Sequence, residues 1–539
     1  MTLIHDWQKP AQRLMSAYWK TLSHSGVNFP DPYVPGGITL SVDGKEVPLS
    51  PLAEEMAYAF AKKRDTPYVQ DLVFRSNFMS DFIKLLPAWC SGVTFEGIDF
   101  SKLYRKVDAE RAAKEGMSKE EKKALAAARK ERREALKAKY GRAVLDGKEV
   151  DIANWMVEPP GLFMGRGQHP LRGRWKPRIQ PSDVVLNLGE ESPVPPGEWK
   201  AVVHDHNSMW MAKWIDKLTG KEKYVWLHES SPLQQSRSKA KYDNALKVGT
   251  HLEKIRARIL RGLESKEEKV RQVATVCYLI DTLGMRVGDE KDEDEADTVG
   301  ASTLRVEHVS LKGNIAEFNF LGKDSVAWNK TATLPQSVVD NLNEFMDGKA
   351  PGDEIFHDVS SSMVNQFLSS TVPGVTAKVF RTYHATAKAR EHLGSEDMRY
   401  ADDLDKLYHA KEANLRAAMF CNHQRTPPKT WEEARMKKEQ KLKDAIAKND
   451  SKRIYRLKKE LDFYDKTKNY NLNTSMKNYI DPRVYKAWCD YVGLDWAKVY
   501  SKSLQSKFAW ALKASSKWVP ASAEAKPLPR ASTPGENSP

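Results

Sequence analysis

A tyrosine near the carboxyl end of the chain stands among residues that could support nucleophilic chemistry. Tyr479 follows Lys477 and Asn478, and Arg483 comes shortly after it. Nearby positive charge favours the phenolate form, which can attack an anionic ester. Pro482 should end any helix that runs through this segment, so we expect Tyr479 on a turn that leads into the next helix. On its own the pattern is weak, because most tyrosines in such settings are structural.

The balance of charge indicates what this protein contacts. In 539 residues, 86 lysines and arginines exceed 72 aspartates and glutamates, which gives a net charge of +14 and a pI near 9.2. An excess of this size indicates a polyanionic partner, with a basic but inert surface as the alternative. The length allows about two to four domains and a substantial core.

Cysteine usage and hydropathy limit the compartment. Cys90, Cys277, Cys421 and Cys489 lie far apart with no C-x-x-C pair, which argues for a reducing environment and against a zinc site. The N-terminus lacks a basic and then apolar signal, and no apolar run is long enough to span a bilayer. We therefore expect a soluble intracellular protein.

The first part of the chain has the pattern of a mixed α/β region. Residues 37–44 predict a short strand, and Pro51 predicts the first turn of a helix. Ser118 and Glu121 form a capping box, which predicts the start of a long charged helix. Its charges lie all round it, so we interpret most of them as solvated. The alternative for this helix is a basic arm close to DNA, or a nuclear-import patch at 129–133.

A loop rich in proline and glycine follows at 158–170 and carries Arg166. Four more cations surround Trp175 directly after it: Arg172, Arg174, Lys176 and Arg178. A mobile loop dense in arginine beside an aromatic residue suits contact with phosphates and the minor groove of DNA. His204 and His206 have the spacing of a metal pair on a strand, but no third ligand is in view, so we predict no metal site.

From about residue 230 the pattern becomes mainly helical. Apolar residues at three- and four-residue spacing predict packed helices over 239–263 and 265–283. The acidic run 289–297 could suggest a magnesium or calcium site, but its carboxylates lack regular ligand spacing and we favour a solvated loop. Strands are predicted over 303–310, 314–320 and 326–334. Lys323 then occupies the hairpin tip between the last two strands.

Residues 431–466 form a second charge-rich helical stretch. Leu442 and Ile446 pair at helical spacing in its first half, and apolar residues repeat on one face of its second half. A turn signal at 449–451 separates the halves, so we predict an antiparallel helical hairpin with narrow apolar seams and a basic exterior. The tail 519–539 is rich in Pro, Ala and Ser, which predicts disorder.

A series of short motifs occurs in a fixed order along the chain. They are Glu158-Pro-Pro-Gly-Leu-Phe, Ala296-Asp-Thr-Val-Gly, Leu304-Arg-Val-Glu-His, Phe320-Leu-Gly-Lys-Asp-Ser, Ala377-Lys-Val-Phe-Arg-Thr-Tyr, Cys421-Asn-His-Gln-Arg, Ser475-Met-Lys-Asn-Tyr-Ile-Asp-Pro-Arg and Lys507-Phe-Ala-Trp-Ala. From about Tyr18 to Leu512 the chain thereby resembles eukaryotic-type DNA topoisomerase IB. It departs from that family at Met476, where a lysine is usual.

The resemblance implies five catalytic residues, Arg286, Lys323, Arg381, His423 and Tyr479. Tyr479 would attack a DNA phosphodiester, the arginines and the histidine would neutralise charge on the phosphate, and the lysine would protonate the leaving 5′-oxygen. Taken singly, each residue has a structural alternative, such as an ion pair for an arginine or a buried hydrogen bond for the histidine. The predicted DNA contacts, from the resemblance and the cationic segments together, are Arg166, Asp324, Asn478, Lys477, Arg172, Gln424 and Arg425.

The resemblance also implies the fold class. We expect an α+β multidomain clamp with a mixed α/β cap and a mainly helical catalytic domain of the tyrosine recombinase/topoisomerase IB type. The predicted domains are an N-terminal DNA-binding cap (1–230, core subdomains I and II), a catalytic core subdomain (231–430), a helical hairpin linker (431–466), a helical C-terminal domain with the nucleophilic tyrosine (467–518) and a disordered tail (519–539).

The implied function is relaxation of positive and negative supercoils by transient nicking of one strand through a 3′-phosphotyrosine. It would need neither ATP nor metal, with a divalent cation at most stimulatory. The expected partner is double-stranded DNA, held by a monomer that acts as a clamp, with no membrane contact. The expected compartment is the nucleus, or the soluble interior of the cell for a viral or prokaryotic source. The alternatives are a tyrosine recombinase and a non-enzymatic basic DNA-binding protein, in which Tyr479 would be incidental.

Overall fold

The computed structural model of this protein describes residues 17–165, 167–288, 298–514 and Trp518. The described chain divides into an N-terminal unit that extends to Gln234 and a C-terminal unit from Gln235 onward, so the boundary falls in the first turn of the helix Pro232–Thr250. The predictions for the acidic run 289–297 and for the tail 519–539 lie outside the described residues.

Short strands and helices alternate in the N-terminal unit. The strands are β1 (Leu22–His24), β2 (Thr39–Val42), β3 (Lys45–Pro48), β4 (Ile98–Asp99), β5 (Arg142–Leu145), β6 (Lys148–Asp151), β7 (Gly161–Leu162), β8 (Trp175–Lys176), β9 (Val185–Asn187), β10 (Ala201–Val203), β11 (Trp210–Ile215) and β12 (Glu222–Trp226), and the helices are α1 (Pro51–Ala61), α2 (Leu72–Phe82), α3 (Ser101–Gly116) and α4 (Lys119–Tyr140). The sheets have the orders β1-β5-β6, β3-β2-β4, β7-β8 and β10-β9-β11-β12. Only the β9–β10 pairing is parallel among the described strands.

Two local signals in this unit give the predicted helices. Pro51 occupies the first turn of α1, where its missing N–H costs no helical bond. Ser118 caps α4 and exchanges hydrogen bonds with Glu121 in a complete capping box. No residue of α4 is buried, which agrees with the interpretation of a solvated charged helix.

The C-terminal unit consists of helices and one antiparallel sheet. The helices are α5 (Pro232–Thr250), α6 (Leu252–Leu263), α7 (Glu268–Leu283), α8 (Gln336–Met346), α9 (Ser361–Thr371), α10 (Ala377–Leu393), α11 (Asp403–Phe420), α12 (Trp431–Ala447), α13 (Ser451–Lys466), α14 (Leu472–Asn478), α15 (Pro482–Val492), α16 (Trp496–Val499), α17 (Lys502–Lys507) and α18 (Ala509–Leu512). The sheet contains β13 (Val309–Lys312), β14 (Ile315–Gly322) and β15 (Val326–Thr333) in that order. Helix α7 is buried along most of its length at the centre of the larger core.

The sheet corrects one sequence prediction. Residues 303–308 were predicted as part of a strand, but Thr303 ends one 3-10 turn, Val306–His308 form another, and Arg305 between them makes only an isolated bridge with Glu354; β13 begins at Val309. The backbone there bonds to a distant segment: Ile355 N–H donates to Leu304 O and Val306 N–H donates to Asp353 O. This segment has the composition of a strand, but its backbone pairs with residues far away in the sequence, which no local pattern indicates.

The helices α12 and α13 run antiparallel. Trp431 stacks on Tyr464 with ring centroids 5.2 Å apart, and Arg435 pairs with Asp465 at 2.9 Å, so the start of one helix meets the end of the other. The predicted inward position of Ile446 was wrong, because its side chain is 53% exposed and the neighbouring alanine is buried instead. No helix in the described ranges combines the length and the apolar character that crossing a membrane requires.

Candidate active site

Tyr479 lies directly after α14, and the predicted turn is confirmed. Its backbone is fixed on both sides: the hydroxyl of Thr386 donates to Tyr479 O at 3.2 Å and accepts from Asp481 N–H at 3.0 Å. Asp481 caps α15, and Pro482 opens that helix. The Tyr479 side chain is only 5% exposed, so its hydroxyl is surrounded by protein.

Two arginines donate hydrogen bonds to the Tyr479 hydroxyl. Nη1 of Arg286, from the segment that follows α7, lies 3.0 Å from that oxygen, and Nη1 of Arg381, from α10, lies 3.3 Å from it. The other terminal nitrogen of Arg381 donates to Cys421 O at 2.7 Å. One guanidinium is therefore anchored to the backbone at the end of α11, and both converge on the phenol.

The charges of the arginines change the ionisation of the phenol. Burial by itself would raise the pKa of Tyr479, but the positive charges of Arg381 and Arg286 outweigh burial and lower this pKa below its usual value. Burial, with the charge of Arg381, also lowers the pKa of Arg286. The site therefore makes the Tyr479 phenol easier to ionise than a free tyrosine, while keeping two cations beside it.

His423 belongs to the same cluster. Its ring centroid lies 4.8 Å from that of Tyr479, and its Nδ1 lies 2.8 Å from the Ser475 hydroxyl oxygen. Burial, followed by the charges of the two arginines, lowers the pKa of His423 to about 3. The ring is therefore neutral near pH 7. Its buried Nε2 has no hydrogen-bond partner in the described part of the chain, which leaves one polar atom for a ligand.

Lys323 lies where the sequence predicts, on a 3-10 turn between β14 and β15. Its exposed side chain lines a pocket of about 120 Å³ together with Arg286, Arg381 and His423. Four of the five predicted catalytic residues thus surround this pocket, and the fifth, Tyr479, is bonded to two of them.

The predicted DNA-contacting residues fall into separate groups. Gln424 lines the pocket, Lys477 and Arg425 are exposed, and Asn478 accepts a hydrogen bond from Lys241 through its carbonyl oxygen at 2.9 Å. Arg166 and the side chain of Asp324 lie outside the described residues.

Arg172, in the N-terminal unit, is 7% exposed. Its Nε and Nη2 bond to Asp71 at 2.6 and 3.1 Å, and its Nη1 donates to His169 O at 3.0 Å. In this structure the Arg172 side chain therefore ties the loop at His169 to Asp71.

Sequence reasoning missed two polar groups that adjoin the site. Asp281 of α7 accepts from His384 of α10 at 2.6 Å and from Arg256 at 2.8 Å, which joins the helices next to both arginines. Lys330 of β15 donates to the carbonyl of Leu283, at the end of α7, at 2.8 Å. Strand alternation gave a signal for Lys330, because it shares the inward face with buried neighbours two positions away on either side.

The hydrogen-bond donors of the site are two guanidinium groups, the ammonium of Lys323 and the neutral imidazole of His423. The pocket can accept an anionic ester, and the tyrosine can attack it. Within the described ranges, no three His, Cys, Asp or Glu side chains come together in a way that could hold a metal ion. The fold and the site thus define a class: a protein whose helical domain holds a buried tyrosine hydroxyl against two arginines, beside a pocket lined by cationic side chains.

Comparison with known families identifies the lineage. The family model described as the DNA binding fragment of eukaryotic DNA topoisomerase I matches residues 17–227, that of its catalytic core matches 230–461, and a C-terminal topoisomerase domain matches 451–520. The chain therefore belongs to the eukaryotic DNA topoisomerase I family.

Individual relatives agree with this assignment. DNA topoisomerase 1 beta of Arabidopsis thaliana is 38% identical over 540 positions, which cover 92% of this chain and 58% of the relative. DNA topoisomerase 1 of Homo sapiens is 36% identical over 544 positions (92% and 71%), and DNA topoisomerase 1 of Drosophila melanogaster is 37% identical over 540 positions (94% and 55%). The chain thus spans between 55 and 71% of the length of these relatives.

Proposed function

We propose that this chain is a type IB DNA topoisomerase. It nicks one strand of duplex DNA through a 3′-phosphotyrosine at Tyr479, allows the strand to rotate, and religates it, which relaxes positive and negative supercoils. The observation that carries the proposal is the hydroxyl of Tyr479, which accepts hydrogen bonds from Arg286 and Arg381 beside a pocket for an anion.

In the first step the phenolate oxygen of Tyr479 forms a bond to phosphorus, and the bond from phosphorus to the 5′-oxygen breaks. Negative charge grows on the non-bridging oxygens as the tyrosine attacks. Arg286 and Arg381 transfer their donors from the phenol to these oxygens, and forked guanidinium groups suit that task because they stay charged. His423 donates a further hydrogen bond through Nε2, the atom that lacks a partner among the described residues.

The proton balance assigns two further roles. The phenol proton leaves to water, helped by the arginines that lower the pKa of Tyr479. The 5′-oxygen is a poor leaving group until it is protonated, and Lys323 at the pocket supplies that proton as general acid. Religation is the reverse reaction. Because the phosphotyrosine ester conserves the bond energy, the cycle requires no ATP. The arginines neutralise the charge that a metal ion neutralises in metal-dependent enzymes, so no metal ion is required either.

Duplex DNA is the proposed substrate, bound by a monomeric clamp whose contacts are mainly to phosphates. Support comes from the net charge of +14 and from the match of the N-terminal unit to a DNA-binding fragment. In that unit the lining of a pocket of about 540 Å³ includes four cations of α4, Arg129, Lys130, Arg133 and Lys137, and two carboxylates, Glu134 and Asp151. None of these four cations forms an ion pair with the described residues. We also propose a nuclear location, since the same net charge and family match indicate duplex DNA as the partner.

The rival functions are separated by plasmid relaxation. Purified protein is incubated with positively or negatively supercoiled plasmids of unrelated sequence, in EDTA and without ATP. The proposal predicts that both signs are relaxed, and that Tyr479→Phe binds DNA but relaxes neither. A tyrosine recombinase would require its own target sequence, and a non-enzymatic binder would leave the linking number unchanged. Failure on either sign would overturn the proposal.

A further inference from the structure

Lys330 is a partly buried lysine whose contacts link the sheet to the helix that precedes Arg286. Its ammonium lies 5.2 Å from the ring centroid of Trp328 and 5.5 Å from that of Phe420. It donates to Leu283 O at 2.8 Å. No carboxylate pairs with Lys330 in the described ranges, although an enclosed ammonium usually has such a partner. Its cation is therefore satisfied by one carbonyl and two aromatic faces.

The carbonyl that Lys330 contacts belongs to the last residue of α7. The chain then turns at Gly284, whose φ of +70° is left-handed and whose added Cβ would lie 2.9 Å from the carbonyl oxygen of Phe420. Met285, 1% exposed, follows in the core, and Arg286 comes next. The path from α7 to Arg286 is thus short and closely packed. Lys330 donates to the carbonyl of Leu283, where this path begins.

The charge of Lys330 also acts on the site. Burial lowers the pKa of this lysine to about 8; Cys421 opposes that shift, and the charge of Arg381 adds to it. These are the titratable or charged groups that influence it, from α10 and from the end of α11, while α7 presents a carbonyl. An ammonium with this pKa is mostly protonated at pH 7 and mostly neutral at pH 9.

We propose that Lys330 is a positioning residue, whose charged ammonium holds the Leu283 carbonyl and so fixes the turn that presents Arg286 to Tyr479. The inference rests on the proposed function of the site. Lys330 touches neither Tyr479 nor the pocket, so its effect passes through the arginines.

The test uses the full chain and a duplex with a nick that lets the short cleaved fragment diffuse away, so that the covalent complex accumulates in one turnover. Lys330→Met removes the ammonium and keeps the stem, and Lys312→Met is the control at an exposed lysine of the same sheet. We expect Lys330→Met to cleave about tenfold to a hundredfold more slowly at pH 7, as misplaced catalytic groups do. DNA affinity and the control should stay unchanged.

A pH series distinguishes a positioning role that depends on the charge of Lys330 from a purely structural role of this residue. The ratio of the wild-type cleavage rate to the Lys330→Met cleavage rate should fall toward one between pH 7 and pH 9, because the wild-type lysine loses its charge over that interval. A ratio close to one at every pH would overturn the proposal, and so would a large ratio that does not change with pH.

A second readout does not depend on DNA cleavage. In chains labelled with ¹³C at the tyrosine Cζ, the Tyr479 signal is assigned by its loss in Tyr479→Phe. We expect Lys330→Met to raise the pKa of Tyr479, since a displaced Arg286 stabilises the phenolate less, and an unshifted titration would count against the proposal. If Lys330→Met does not fold, Lys330→Gln, which retains a neutral donor, takes its place. If the wild type forms no covalent complex, the proposed function fails, and this titration still decides the role of Lys330.

Discussion

The phenol oxygen of Tyr479 lies 3.0 Å from Nη1 of Arg286, although 193 positions of sequence separate the two residues. Arg381, 98 positions from the tyrosine, reaches the same oxygen at 3.3 Å. Both contacts have the geometry of hydrogen bonds, and two guanidinium groups at one buried oxygen favour its ionised form. The arrangement keeps a weak nucleophile beside the cations that a phosphate would engage.

Replacing either arginine by lysine tests the forked contact separately from the charge. Arg286→Lys and Arg381→Lys should each slow single-turnover cleavage by about a hundredfold or more, because a point charge cannot grip two phosphate oxygens at once. Arg399→Lys, at an exposed arginine that pairs with Asp397, is the control. DNA binding, measured by fluorescence anisotropy, should change little. Cleavage by Arg286→Lys at the wild-type rate would remove that arginine from the mechanism.

The general-acid role of Lys323 can be tested by changing the leaving group. Lys323→Ala should cleave an ordinary phosphodiester about a hundredfold or more slowly. A substrate in which sulfur replaces the bridging 5′-oxygen should restore most of the rate, because a thiolate leaves without a proton. Lys312→Ala should behave as the wild type on both substrates. Equal losses on the two substrates would show that Lys323 does not deliver the proton.

His423 should act as a neutral donor. Burial and the two arginines lower the pKa of His423 to about 3, so its charge does not change between pH 5 and pH 8. The cleavage rate should therefore show no inflection from this residue in that interval. His423→Gln, which retains a donor, should be more active than His423→Ala. An inflection near pH 6.5 that disappears in His423→Gln would contradict the neutral assignment.

The cationic pocket on α4 predicts a change in salt dependence. Each phosphate contact contributes about 0.9 to the slope of log affinity against log salt, so the double change Arg129→Gln with Arg133→Gln should reduce that slope by about 2. The matched control, Lys119→Gln with Lys122→Gln, removes the same charge near the start of the same helix. Filter binding at several salt concentrations measures the slope for each double variant. Equal reductions in the two double variants would mean that only net charge matters.

Elements with a local cause could be predicted from the sequence. The capping box at Ser118, the prolines at Pro51 and Pro482, and the turn that carries Lys323 each depend on a few adjacent residues, and the structure has all four. Residues 303–308 were assigned wrongly because their backbone bonds to a segment about 50 positions away, beyond the reach of a local pattern.

The site itself could be assembled only by resemblance. Spacing along the chain cannot indicate that Arg286 and Arg381 meet at Tyr479. In the structure, the burial of α7 and the packing of α10 on α11 bring the two arginines to Tyr479. Arg172 illustrates the reverse case, because its partner Asp71 lies 101 positions upstream and the sequence gives no sign that the guanidinium is occupied. Long-range pairing decides which cations are accessible.

The most direct measurement is the identity of the residue that carries DNA after cleavage. The reaction is stopped with detergent, the DNA is digested, and the peptides are sequenced by mass spectrometry. The account predicts a nucleotide joined through its 3′-phosphate to Tyr479, and no adduct in Tyr479→Phe, which still binds duplex DNA. Relaxation of plasmid by a wild-type protein that carries no nucleotide on Tyr479 would contradict it.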